Sequence, residues 1–138
     1  MNASFINAKA GIYLIKAGSY RQNPLSQLKN MPELGGSILD IPLATANNAL
    51  TLGYFTLKPS VSYEAVFNFI EVKIVTKGKM VVRDKDNQKY VANVGDVLVF
   101  MPETLVIFDG ESDVEAVYFK NVAAVPSYLL PEQNSVVV

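Results

Sequence analysis

Eight short runs rich in Val, Ile, Phe and Tyr follow one another between Gly36 and Asn121: SILDIPL, LTLGYFTLKP, AVFNFIEVKIVT, KMVVRD, KYVANV, DVLVFM, TLVIFD and VEAVYFKN. β-Branched and aromatic side chains suit a pleated, half-buried surface. Turn formers separate the runs, at Pro59-Ser60, Lys77-Gly78, Asp86-Asn87, Gly95-Asp96, Pro102-Glu103 and Asp109-Gly110. Such residues supply positive φ, preset φ or local side-chain hydrogen bonds. Strands at a spacing of roughly 8–12 residues, with little helical periodicity, restrict the chain to an all-β sandwich or barrel. The clearest hairpin is MVVRDKDNQKYVA, turning between Asp84 and Asn87.

A length of 138 residues makes one domain with a core of its own. Residues 1–36 read as an N-terminal arm, 37–123 as the barrel and 124–138 as a C-terminal tail. In the arm, IYLIK (12–16) predicts a short strand. The polar stretch after it, with two prolines and a Gly-Gly, reads as an irregular connection holding one helical turn near Leu25 and Leu28. The tail ends in three valines, as a docked edge strand or a disordered end would.

The chain has no histidine and no cysteine. The usual first-row metal ligands and the usual general base are therefore missing, and no Ser-His-Asp triad, disulfide framework or redox thiol exists. No cofactor is expected. Twelve basic residues stand against 13 acidic ones without a basic stripe, which argues against nucleic acid and anionic membrane. No run approaches the ~20 apolar residues of a membrane span. The first residues lack the basic start of a signal peptide, and Lys9 interrupts their apolar stretch. The expectation is a cytoplasmic protein. Glu111, Asp113 and Glu115 fit no calcium-loop spacing and read as a solvated edge. The tyrosines read as sheet packing.

Two segments carry further information. Glu71 is followed by Gly78 in EVKIVTKG, and Gly95-Asp96 leads an apolar run to Pro102 in VGDVLVFMPE. On this frame residues 59–111 resemble the cupin superfamily, whose first motif passes from a glycine through a His-x-His pair and a Glu to a Gly. The resemblance implies a double-stranded β-helix, the cupin-type jelly-roll barrel. It puts the His-x-His positions on Ala65 and Phe67, or on Glu64 and Val66 in the alternative spacing. The opening glycine falls on Pro59, the later glycine on Thr104 and the third histidine on Ile107. The glycine and proline of the second motif are one residue further apart than in the family. Of the four metal-ligand positions only Glu71 could bind a metal, so no metal is expected. Within cupins, YEAVFNFIEVKIVTKGKMVV (63–82) is similar to the ethanolamine-utilisation protein Q type in the placing of Asn68, Glu71 and Gly78. Ile70 and Lys73 stand where that family tends to carry acidic residues. Acetate kinase activity has been attributed to that family; no Gly-rich turn opening a helix is present here to cradle a phosphate.

Strand period two, taken with this frame, turns Ala65, Phe67, Phe69, Glu71, Lys73 and Val75 into the barrel and Ile70, Val72 and Ile74 outward. Glu71 and Lys73 are then close enough to pair, either as an ion pair in place of the metal or as the polar end of a ligand pocket. Phe67, Phe69 and Ile107 fill the core or wall that pocket. Three functions stay open: a metal-free cupin that binds a small molecule or serves an accessory metabolic role, a lyase or isomerase using Lys73 and Glu71, and an interaction module with a filled barrel. An outward apolar stripe needs a cover; the arm or a second copy in a homodimer would provide it.

Overall fold

A computed structural model describes residues 9–18, 22–44 and 49–129. The strands are β1 (Asn23–Pro24), β2 (Gly36–Ala44), β3 (Leu50–Leu57), β4 (Tyr63–Phe67), β5 (Glu71–Arg83), β6 (Lys89–Asn93), β7 (Val97–Phe100), β8 (Thr104–Phe108) and β9 (Asp113–Lys120). One helical turn, α1 (Leu25–Leu28), and a 3₁₀ turn at Pro126–Tyr128 complete the described elements. All the pairings between strands are antiparallel. The order is β1-β2-β3-β9-β5-β8-β4, with β6 and β7 also paired to β5. The sheet curls into two facing walls. Residues 130–138 lie outside the described residues, and the tail's three valines are among them.

β5 joins the walls. Its first residues pair with β9 and β7, its last with β6, and Val82 and Arg83 also with β8. The sequence predicts a turn at Lys77-Gly78, but the strand runs through it. Its register with β9 slips between Val75 and Lys77, and Gly78 has φ +75°. A Cβ on Gly78 would lie 2.0 Å from the Asp113 carbonyl oxygen. The glycine thus serves a bulge, which bends a strand without ending it. Conversely, the run 65–76 is not one strand. It breaks after Phe67, and its halves belong to opposite walls. The β5–β6 hairpin turns where expected: Asn87 has φ 63°, and the Asp84 carboxylate accepts the N–H groups of Asp86 and Gln88.

The segment 12–16 forms no strand. Ile12 is fully exposed, while Ile15 packs against Leu39 and Ile41 on the outside of β2. Within the stretch read as an arm, residues 22–35 pack onto the barrel. Asn23 and Pro24 pair with Ile38 and Ser37, and Leu25 and Leu34 are buried in the main core. Aromatic rings fill part of the barrel: Tyr63 stacks on Phe108 at 5.0 Å, and Phe67 meets Phe100 at 4.8 Å.

Candidate functional site

Another part of the barrel holds charge. Two rows of inward side chains run across the larger wall. One row is Asp40, Gly53, Tyr118, Lys73 and Leu98; the next is Pro42, Thr51, Lys120, Glu71 and Phe100. Period two along each strand keeps the rows on the inner face. Asp40, Lys73, Glu71 and Lys120 are all buried.

Gly53 makes the first row possible. A Cβ there would sit 1.8 Å from the Tyr118 ring. Its absence lets the ring lie across β3, so that the Tyr118 hydroxyl donates to the Asp40 carboxylate two strands away. Asp40 also receives the Lys120 ammonium at 2.7 Å and the Val125 N–H at 2.9 Å. The last contact ties the segment after β9 over the barrel mouth, and the Asn23 amide donates to the Leu129 carbonyl beside it.

The second pair is Glu71 with Lys73, at 2.5 Å. The Lys73 ammonium also faces two rings, Tyr118 at 4.1 Å and Phe55 at 4.3 Å from their centroids. Removal from water pushes the Lys73 pKa down, and the nearby Lys120 charge adds to this; Glu71, by charge and hydrogen bond, and Asp40 oppose it. Burial likewise holds the phenols of Tyr118 and Tyr63 un-ionised well above their usual range. The Asp40 carboxylate adds to the effect at Tyr118, and Tyr128 and Glu71 add to it at Tyr63.

Above these pairs lies a cavity of about 220 Å³. Glu71, Lys73 and Lys120 form its polar floor, and Phe55, Phe67, Phe69 and Phe108 contribute apolar wall. Lys29, Tyr63 and Tyr128 also line it. Lys29 follows α1 and donates to the Tyr128 hydroxyl at 2.8 Å.

The structure therefore brings Glu71, Lys73, Phe67 and Phe69 together and leaves Ile107 out. Ile107 pairs with Glu64 on the outer face of β8, while its neighbours Val106 and Phe108 are buried. TLVIF is apolar on both faces, so alternation alone could not choose, and counting on from Pro102 lands one residue short of Phe108. Tyr63, Tyr118 and Tyr128, read as packing, line the cavity. Asp40, Lys120 and Lys29 carried no sequence motif. For Lys120 a signal existed: period two in VEAVYFK places it on the face of Val114, Ala116 and Tyr118. The acidic residues Glu111, Asp113 and Glu115 are not clustered on one another but pair separately with Lys89, Lys58 and Lys77.

No family model and no curated protein matches the sequence. Solved structures do. The Clostridium difficile EutQ protein matches with TM-score 0.60 at 14% identity, over 80% of this chain and 74% of its own. A cupin 2 conserved barrel domain protein from Rhodopseudomonas palustris matches with TM-score 0.62 at 16% identity, over 83% of each chain. An RmlC-like cupin from Methanocaldococcus jannaschii with a double-stranded β-helix fold matches with TM-score 0.54 at 13% identity, over 82% of this chain and 91% of its own. The fold is a cupin barrel. At these identities the likeness extends to the fold alone.

The residues at the cupin metal position do not fit a metal ion. Ala65 and Phe67 offer no ligand atom, and β8 turns Val106 and Phe108 inward. Glu71 remains, and the Lys73 ammonium already holds its carboxylate. A divalent cation there would have one carboxylate and an adjacent positive charge. Among the described residues no three Asp or Glu side chains converge to form another such site. Nor is any described helix long and apolar enough to cross a membrane.

Proposed function

We propose that this chain is a cytoplasmic, metal-independent cupin that binds a small organic molecule in the mouth of its barrel, in an accessory metabolic role. The cavity carries the proposal. It has about 220 Å³ of space, walls of aromatic rings and a floor of fixed charges. Convergent polar groups in an apolar hollow are the general form of a ligand site. Four buried charged side chains cost desolvation that a barrel serving only as an interaction module could escape by apolar packing, which supports the binding role. Sites for drug-sized ligands occupy roughly 300–1,000 Å³, so the occupant is smaller than that. The EutQ protein shares the fold and names no ligand.

Ala65 provides the test. It lines the cavity from β4, and Ala65→Phe narrows the space while leaving the charged residues themselves unchanged. Ligand-observed NMR against a library of small metabolites should find binders to the native protein that Ala65→Phe loses while its melting temperature holds. Binders that persist in Ala65→Phe, or an empty screen, would overturn the proposal.

One observation favours a second possibility, a lyase or isomerase. Lys73 is a desolvated amine with a lowered pKa, touching a carboxylate within a cavity. Such an amine can act as a base or attack a carbonyl. If it does so, Lys73→Met abolishes turnover of a bound ligand but leaves its binding measurable. If Lys73 only sets the polarity of the floor, bound ligand is recovered unchanged from the native protein.

A further inference from the structure

We infer that the ligand is a small monocarboxylate with a flat, apolar body, and that Lys29 with Tyr128 receives its carboxylate. This rests on the binding role proposed above and adds its specificity. The charges around the cavity do not balance. Asp40 neutralises Lys120, and Glu71 neutralises Lys73. Lys29 is left over: among the described residues no carboxylate pairs with it, and its polar partner is the neutral Tyr128 hydroxyl. The cavity thus carries one positive charge more than negative, within a chain whose net charge is −1. Overall composition does not explain a cationic hollow in a slightly acidic protein.

The position of Lys29 supports a receiving role. Its ammonium lies 5.8 Å from the Tyr63 ring centroid and 5.5 Å from that of Tyr128, half-buried at the mouth. On the other side, Lys120 lies 5.6 Å from the Tyr128 ring. An ammonium has three donors, and one is used. A carboxylate at the mouth would take a second from Lys29 and accept the Tyr128 O–H proton. Ligand charge matches the surplus: a monoanion cancels it, whereas a phosphate monoester brings close to two negative charges and leaves the site negative. The rings of Phe69, Tyr63 and Tyr128 leave flat apolar surface for the body of the ligand.

Benzoate, benzamide, benzylamine and phenyl phosphate share one ring and differ in charge. Each is titrated into the ¹⁵N-labelled full chain, with amide shifts as the readout. Benzoate should bind about tenfold or more tightly than benzamide, the discrimination expected of a charge-assisted hydrogen bond. Phenyl phosphate should be weaker than benzoate, and benzylamine should not bind. In Lys29→Met the benzoate-to-benzamide ratio should fall to near one, and in Lys29→Arg the preference should persist. Tyr128→Phe, which keeps the ring, should narrow it. Equal binding of benzoate and benzamide, a ratio unmoved in Lys29→Met, or a preference for phenyl phosphate would overturn the carboxylate inference while leaving the pocket in use. No binding by any of the four at millimolar concentration would overturn the carboxylate inference, and the metabolite screen on the native protein then decides the binding role separately.

Discussion

Lys73 is the residue on which most of the site's energetics turn. Its ammonium has given up water for one carboxylate and two ring faces. Removing one partner of a buried pair leaves the other uncompensated, at a cost of about 3–5 kcal/mol. Lys73→Met should therefore destabilise strongly, and Glu71→Gln added to it should recover much of the loss. A double-mutant cycle by urea unfolding checks this; coupling near zero would mean that the pair contributes nothing. Alkaline titration gives a second test. The unfolded chain keeps the Lys73 proton to about pH 10.4, and the folded chain releases it earlier. Through this group stability rises with pH in the window below 10.4. Tyr63 and Tyr118 act oppositely. Their folded pKa values are raised, so their contribution is present below the unfolded value of about 10 and is lost as pH climbs through the folded values. Stability measured by urea unfolding should rise toward about pH 10 and then fall. Lys73→Met should flatten the rise, and Tyr118→Phe should soften the fall. An unchanged profile in both variants would remove the assignment.

At the scale of elements, two glycines set the geometry that the charged residues use. Gly53 clears space for the Tyr118 ring, and Gly78 lets β5 pass between walls. Gly53→Ala should force the ring off Asp40 and cost about 1–3 kcal/mol, the usual range for overpacking. In a Tyr118→Leu background the same change should cost markedly less, because the ring it collides with is gone. Equal cost in both backgrounds would locate the effect elsewhere. These elements also mark how far the sequence was legible. Glu71, Gly78, Gly95 and Pro102 identified the barrel, because the turns and bulges of a fold demand particular backbone conformations. Period two placed Glu71 and Lys73 on the inner face through a break at 68–70 that it did not foresee. It failed at Ile107, where both faces of β8 are apolar. Asp40, Lys29 and Tyr128 were beyond its reach, since Asp40 meets Lys120 and Lys29 meets Tyr128 by tertiary contact alone, the latter at a separation of 99 positions. The expected turn at Lys77-Gly78 was a true glycine signal assigned to the wrong structure.

At the scale of the whole molecule, the outer face of the larger wall remains to be covered. Leu39 and Ile41 are fully buried there beneath Ile15, so the segment before β1 shields the β2 side. That cover stops short of β5 and β7. Across β7, β5 and β9, Val99, Val72 and Phe119 stand side by side, with Val97 and Ile74 in the neighbouring row. Val97 and Val99 are more than half exposed, and Phe119 and Ile70 are more than a third exposed. Each large apolar side chain left in water forgoes up to about 1.5–3 kcal/mol. We propose that a second copy of the chain covers this face about a two-fold axis, which pairs one self-complementary patch with itself. The site lies on the opposite side of the same wall, so the interface would not block the cavity. Val99→Glu tests this at a position where the side chain is exposed in the single chain and folding should be spared. Light scattering should report a dimer for the native protein at about 100 μM, a concentration well above the micromolar Kd of even a weak specific complex, and a monomer for Val99→Glu with an unchanged circular dichroism spectrum. A native monomer at that concentration, or a Val99→Glu dimer, would exclude this face as the interface.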